Sequence, residues 1–76
     1  MEYVLVIHEA EEGGYWAEIP ALPGCYTQGE TVEEVLKRAP EAIESHVEVL
    51  REDGQDIPGD ERVIVTTIRT TEHTAA

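Results

Sequence analysis

Cysteine and histidine are the residues of this chain whose side chains most readily do chemistry, and both are scarce. Cys25 directly follows a proline–glycine turn and has no obvious activating histidine, so the sequence favours a small buried apolar residue over a nucleophile. His8, His46 and His73 are separated and lack the spacing of a metal-ligand motif. We therefore expect no catalytic residue, no metal site and no cofactor.

Carboxylates are the abundant ionisable groups: 17 acidic residues stand against 5 basic ones, a net charge of −12. Such a surface repels nucleic acid and anionic membranes, because phosphate binding depends on Lys and Arg. It favours a basic protein partner, although acidity also serves simply to keep a small protein soluble. No apolar stretch approaches the ~20 residues that cross a bilayer, and the start lacks the basic region of a secretion signal. We expect a cytoplasmic protein.

Two groups of residues are candidates for contact with a partner. Glu41, Glu44 and Glu48 lie near one another at helical spacing with little basic relief, which favours either a basic partner or a solvent-facing stripe. Trp16 is the second candidate, since tryptophan is enriched among binding hot spots. Packing of Trp16 under the helix is the interpretation that we favour, and contact with a partner is the alternative.

The first part of the chain must position these residues, and it reads as three strands. Residues 3–8 are apolar and β-branched, a glycine turn follows at 13–14, and residues 15–19 alternate between two faces, which predicts a hairpin. Leu22–Cys25 fits a type II turn, with glycine at the position of positive φ. Residues 25–28 make a short third strand.

A long helix is predicted next. Thr31 is a good N-cap and, with Glu34, forms a capping box. The helix should end near Asp53, with Gly54 as the residue after the cap. Because the apolar phase continues past Pro40, we expect one kinked helix, the alternative being a break at that residue. The apolar face comprises Val32, Val35, Leu36, Ala39, Ile43, Val47 and Leu50.

A fourth strand at Arg62–Ile68 would complete one domain over residues 1–68, with a flexible tail at 69–76. The first and fourth strands are apolar on both faces, yet one helix covers only one face of a sheet. A second copy of the chain is the simplest cover for the other face or edge. The residues expected at that self-interface are Val63, Ile64, Val65, Thr66, Ile68, Val4 and Val6.

The segment Ile-Pro-Ala-Leu-Pro-Gly-Cys at 19–25, followed by Gly-Glu-Thr at 29–31 and Glu-Glu-Val-Leu at 33–36, closely resembles the HicB-like antitoxin family. The resemblance runs from about Tyr3 to Ile68. It implies an α+β fold in the order β-β-β-α-β, an antiparallel meander with one helix that forms a partial RNase H-like fold. It also implies self-association into dimers or larger assemblies.

The resemblance implies a function as well. A typical family member neutralises HicA, a small basic ribonuclease toxin, by covering its active surface. Many members continue into a DNA-binding domain, for which this chain has only about eight residues left after the last strand. We therefore expect a short form that sequesters a HicA-type toxin without catalysis and without binding nucleic acid directly.

Two alternatives remain open. One is a solitary HicB-like structural or regulatory oligomer that has no toxin partner. The other is a metal-dependent nuclease, an activity that an RNase H-like fold suggests. That chemistry needs clustered carboxylates, one of them on the first strand, and residues 3–8 contain none.

Overall fold

The structure, a computed structural model, describes residues 2–71, so His73 and most of the expected tail lie outside the described residues. A three-stranded antiparallel sheet in the order β1-β2-β3 precedes one long helix. The strands are β1 (Val6–Glu9), β2 (Tyr15–Glu18) and β3 (Tyr26–Gly29), and the helix is α1 (Val32–Glu52). The predicted α+β class and the β-β-β-α order are confirmed.

Both turns of the sheet use glycine where the sequence predicts it. The β1–β2 turn places Gly13 and Gly14 at positive φ. In the β2–β3 connection the Cys25 amide donates to the Leu22 carbonyl at 2.9 Å, and Gly24 takes a φ of +88°. Proline at the second position and glycine at the third are what a type II turn requires.

β1 begins three residues later than predicted. Its register places Val6 opposite Glu18, so continued pairing would bring Val4 opposite Pro20, which has no amide proton to donate. The β2 chain instead leaves the sheet, and the Ile19 amide donates to the Cys25 carbonyl at 3.2 Å. Residues 2–5 therefore lie beside the core without belonging to a strand.

The ends of α1 follow the predicted signals. The Thr31 hydroxyl accepts from the Glu34 amide at 3.1 Å, and the Glu34 carboxylate accepts from the Glu30 amide, one residue earlier than in a strict capping box. At the other end Gly54 has a φ of +69°, and the Gln55 amide donates to the Leu50 carbonyl at 2.9 Å, which is a Schellman motif.

Pro40 lies within α1 without breaking it. The amide that proline lacks would have bonded the Leu36 carbonyl. Both Leu36 and Pro40 are exposed, so water can satisfy that carbonyl. The predicted single helix is confirmed, and the alternative of a break is wrong.

The core lies between α1 and the inner face of the sheet. Ala17, Ile19, Leu22 and Cys25 from the sheet side meet Val35 and Ala39 from α1, and all are buried. Leu36 is exposed although the apolar pattern assigns it to the buried face. The register explains which strand residues face inward: Ile7, Ala17 and Thr27 are direct neighbours, while His8, Trp16 and Gln28 share the opposite face.

Two expectations are therefore wrong. Trp16 does not pack under α1, because it lies on the outer face of the sheet, one residue out of phase with buried Ala17. The fourth strand at Arg62–Ile68 does not form within the described chain. A short 3-10 helix, η1 (Asp60–Arg62), is followed by unpaired residues 63–71, whose side chains are largely exposed. Their β-branched composition is typical of a strand, but a strand needs a neighbour, and residues 2–71 supply none there.

Candidate interaction site

A groove runs between the N-terminal segment and the second half of α1. Its volume is about 910 Å³, and its floor is mainly apolar, with Tyr3 on one side and Pro40, Ile43 and Val47 on the other. We call it the α1 groove. Charged residues of α1 form its rim: Glu44, Glu48, Arg51 and Glu52.

The groove exists because α1 is much longer than the strands it covers. A helix of 21 residues is about 31 Å long, whereas a strand of 4 residues spans about 13 Å. The first half of α1 therefore lies over the sheet, and the second half extends past it. There Ile43, Val47 and Leu50 are only partly buried, and they pack, as Tyr3 and Leu5 do, on the core cluster of Ile19, Leu22 and Cys25.

Tyr3 fixes the other wall of the groove. Its hydroxyl donates a 2.9 Å hydrogen bond to the Pro58 carbonyl, which ties the start of the chain to the loop that follows α1. The side chain is half-buried, so one edge of the ring packs on the core while the rest faces the groove. The root of the C-terminal segment thus lies at the groove's edge.

The acidic residues predicted to meet a partner lie on the second half of α1. Glu41, Glu44 and Glu48 are all exposed. The two ion pairs found among residues 2–71 join His8 to Glu18 and Arg38 to Glu34, so neither neutralises this acidic stripe. Two of its members, Glu44 and Glu48, also belong to the rim of the groove.

Trp16 lies on a different surface. On the outer face of the sheet its ring stacks on His8 with centroids 4.2 Å apart and meets the Tyr26 ring edge-on at 6.1 Å. The His8 Nε2 atom lies 2.7 Å from a Glu18 carboxylate oxygen. The sheet separates this cluster from α1, so Trp16 and the acidic stripe cannot belong to one flat contact.

Cys25 is a structural residue in this arrangement. The thiol is buried beneath α1 and donates to the Ala42 carbonyl at 3.5 Å. Burial raises the pKa of the Cys25 thiol, because desolvation disfavours the thiolate that would attack a substrate. Within the described residues, no group of three His, Cys, Asp or Glu side chains is placed to hold a metal ion.

The residues predicted for self-association divide into two groups. Val4 and Val6 are half-buried near the β1 edge. In the C-terminal segment, here residues 63–68, Ile64, Val65 and Ile68 expose 88%, 69% and 87% of their surface. Val63 is half-buried and Thr66 exposed. The structure does not bring the two groups together within one chain.

Sequence reasoning did not find the α1 groove. The apolar phase of α1 identified Ile43 and Val47, but it assigned them to the core face with no sign that the sheet ends before them. The signal was the mismatch in length between a 21-residue helix and strands of 4 residues, and Pro20 is the residue that shortens the sheet.

The chain is similar to a known protein family. Residues 3–75 match a family described as the HicB-like antitoxin of bacterial toxin–antitoxin systems. The chain belongs to the HicB-like antitoxin family. The match extends over both the sheet and α1, so it includes every residue that lines the groove.

Relatives in the family include proteins of similar length. A UPF0150 protein from Thermoplasma acidophilum is 41% identical over 66 residues, which cover 87% of this chain and 96% of the relative. A UPF0150 protein from Archaeoglobus fulgidus is 42% identical over 59 residues, covering 75% and 86%. Antitoxin HicB 1 of Photorhabdus laumondii is 40% identical over 58 residues, covering 76% of this HicB-like chain but only 37% of the relative.

The polarity of α1 bears on whether this helix can span a membrane. Although it is long enough in residues to reach across a bilayer, its many charged side chains rule it out, and no helix in the described part of the chain is apolar enough to span a membrane.

Proposed function

We propose that this protein is an antitoxin that sequesters a small basic ribonuclease toxin of the HicA type by covering its active surface, without catalysis. The observation that carries the proposal is the acidic stripe of Glu41, Glu44 and Glu48, which is exposed and has no ion-pair partner in residues 2–71. An RNA-cleaving protein needs a basic surface to hold phosphates, and an acidic surface complements it.

The local energetics support a partner at this stripe. Glu44 and Glu48 stand one helical turn apart with like charge, which destabilises an isolated helix slightly. A basic partner would convert that repulsion into attraction. The net charge of −12 adds long-range steering, which accelerates encounter with a basic protein and weakens with salt.

The absence of turnover is part of the proposal. β1 carries one acid, the exposed Glu9 at its end, and Cys25 is buried with a raised pKa. Metal-dependent RNA cleavage needs several carboxylates converging on the ions, and we expect none to converge here. The purified protein should not cleave RNA with Mg²⁺ or Mn²⁺ present.

Self-association is the second part of the proposal. Exposed Ile64, Val65 and Ile68 on one chain segment are unusual for a free monomer. We expect a homodimer or larger assembly whose contact includes residues 63–68 and, at the β1 edge, Val4 and Val6.

The test of toxin binding starts with a search of the neighbouring reading frames for a small basic protein, whose binding to this chain is then measured. Glu41→Lys should weaken the complex about tenfold, because it places a cation against a basic surface. Glu11→Lys, the same charge change in the exposed β1–β2 turn, is the matched control and should change affinity much less. Equal effects would mean that only net charge matters and would remove the stripe from the contact.

Failure to bind any such protein, in a chain that still self-associates, would favour the solitary regulatory oligomer. Isothermal titration at two salt concentrations separates the outcomes, since the charge-driven part of binding falls as ionic strength rises.

A further inference from the structure

The C-terminal segment, residues 63–68, is an apolar strand without a neighbour. Its sequence, Val-Ile-Val-Thr-Thr-Ile, consists only of β-branched residues. Six such residues in an extended chain span about 20 Å. With Ile64 and Ile68 almost fully exposed, the segment does not enter the groove of its own chain.

The segment leaves the molecule beside the α1 groove. Pro58, whose carbonyl accepts from the Tyr3 hydroxyl, precedes the segment by five residues, and η1 lies between them. At this turn a carboxylate oxygen of Asp60 is shielded from solvent yet receives no hydrogen bond from any described residue. A buried acceptor of this kind normally has a donor, so a donor is missing at the root of the segment.

The isolated chain exposes more surface than a folded protein of its mass. Its accessible surface is 6303 Å², against about 4,600 Å² expected for a monomer of this mass. Its radius of gyration is 15.2 Å, against about 11 Å expected for a globular chain of this length. The surplus, about 1,700 Å² for one chain, is about twice the ~800 Å² that each partner contributes to a standard protein interface.

Charge also matches the segment to the groove. The sequence places arginines at 62 and 69, at the two ends of the apolar residues, in a chain with only 5 basic residues. The groove has an apolar floor and a rim of three acids, Glu44, Glu48 and Glu52, and one base, Arg51, so the rim is acidic overall. An apolar strand with a cation at each end is therefore complementary to the groove.

From these four observations we infer that two copies of the chain exchange their C-terminal segments. Residues 63–68 of each copy occupy the α1 groove of the other, between Tyr3 and the second half of α1. Such an exchange is isologous, because both contacts are identical and close a two-fold dimer. The inference rests on the self-association part of the proposed function and specifies the surface that performs it.

The first test is a cross-link between differently tagged chains, with Cys25→Ala as the background in both. One chain carries Val47→Cys in the groove. The other carries Ile64→Cys or Val65→Cys, both being tried because alternate residues of a strand face opposite sides. After subunit exchange and mild oxidation, a disulfide-linked heterodimer should form with one of the two segment positions.

The matched control replaces Val47→Cys with Val49→Cys, an exposed valine of α1 that does not line the groove. Its cross-linking yield should be at least tenfold lower. Equal yields at 47 and 49, or no cross-link at 47, would overturn the exchange. A chain with both cysteines that closes an internal disulfide would also overturn it, in favour of a segment that folds back on its own chain.

The second test is the mass of the full chain in solution. Light scattering at micromolar concentration should give twice 8.4 kDa for the native protein. Ile64→Glu with Ile68→Glu should raise the dissociation constant about 100-fold or more, since two buried side chains would become charged. Both side chains are exposed in the single chain, so this variant keeps its fold, which circular dichroism checks.

A third test reverses charges on the rim and on the segment, and it leaves the apolar floor of the groove unchanged. Glu52→Arg alone, on the groove rim but outside the acidic stripe, and Arg69→Glu alone should each weaken the dimer, and the two together should restore it. A native chain that stays monomeric yet binds its basic partner would refute the exchange and leave the antitoxin proposal standing. A native chain that dimerises but binds no basic protein would refute the antitoxin proposal and leave the exchange standing.

Discussion

The two halves of α1 carry similar sequence patterns but lie in different surroundings. In the first half, Val35 and Ala39 are fully buried against the sheet, and the N-terminus is capped by Thr31. In the second half, Ile43 and Val47 are only half-buried beside a groove. The difference teaches that burial along α1 falls where the helix extends past the strands, which leaves the apolar residues of its second half partly covered.

The largest expected effect comes from the buried half. Val35→Ala removes two methyl groups from a fully enclosed site and should lower the free energy of unfolding by about 2–3 kcal/mol. The difference in unfolding free energy between the variant and the native chain should be the same at every protein concentration. Urea denaturation followed by circular dichroism measures it. A loss below 0.5 kcal/mol would mean that the first half is not the anchored one.

The same substitution in the second half should behave differently. Val47→Ala is expected to cost about 1 kcal/mol, because the side chain is half-buried in one chain. If a partner segment covers it, the cost should grow with protein concentration, since dimers lose more than monomers. Thermal melts at two concentrations give the answer. Val49→Ala, the exposed neighbour, serves as control and should change stability by less than about 0.5 kcal/mol.

The cap of the first half supplies the third prediction. Thr31→Ala removes the hydroxyl that accepts from the Glu34 amide at 3.1 Å, and should cost about 1 kcal/mol. Thr31→Ser keeps the acceptor and should retain most of the stability. If both substitutions cost the same, the threonine methyl and not the cap is responsible. Denaturant midpoints for the three proteins decide between them.

The smallest effect belongs to the surface pair of the first half. Arg38 lies 3.5 Å from the Glu34 carboxylate, one helical turn away, and both side chains are partly exposed. Arg38→Gln should therefore cost only about 0.3–0.5 kcal/mol. The difference from the native chain should disappear in 1 M salt, where such pairs are screened. A loss that persists in salt would point instead to the hydrogen bond from Arg38 to the Gln28 carbonyl.

Much of this fold was predictable because its signals are local. The Pro23–Gly24 turn, the Thr31 cap and the Gly54 terminus each depend on a few adjacent residues, and the structure confirms all three. The continuity of α1 through Pro40 was also predictable, because the apolar phase persists on both sides of it.

The errors concern contacts between distant residues. The outward direction of Trp16 depends on which face of the sheet α1 covers, a choice that alternation alone does not settle. The fourth strand has the right composition, but pairing depends on a neighbour that residues 2–71 do not provide. The α1 groove depends on Pro20 ending the sheet early while the helix continues, so neither element reveals it alone.

The stacked rings on the outer face of the sheet have a practical consequence. Trp16 is the single tryptophan of the chain, and its ring lies against His8, with the whole sheet between it and α1. The fluorescence of Trp16 should therefore change when the strands of the sheet separate, and it should not respond to changes on the far side of α1. Tryptophan fluorescence can therefore follow the melting of the sheet, while far-ultraviolet circular dichroism follows α1.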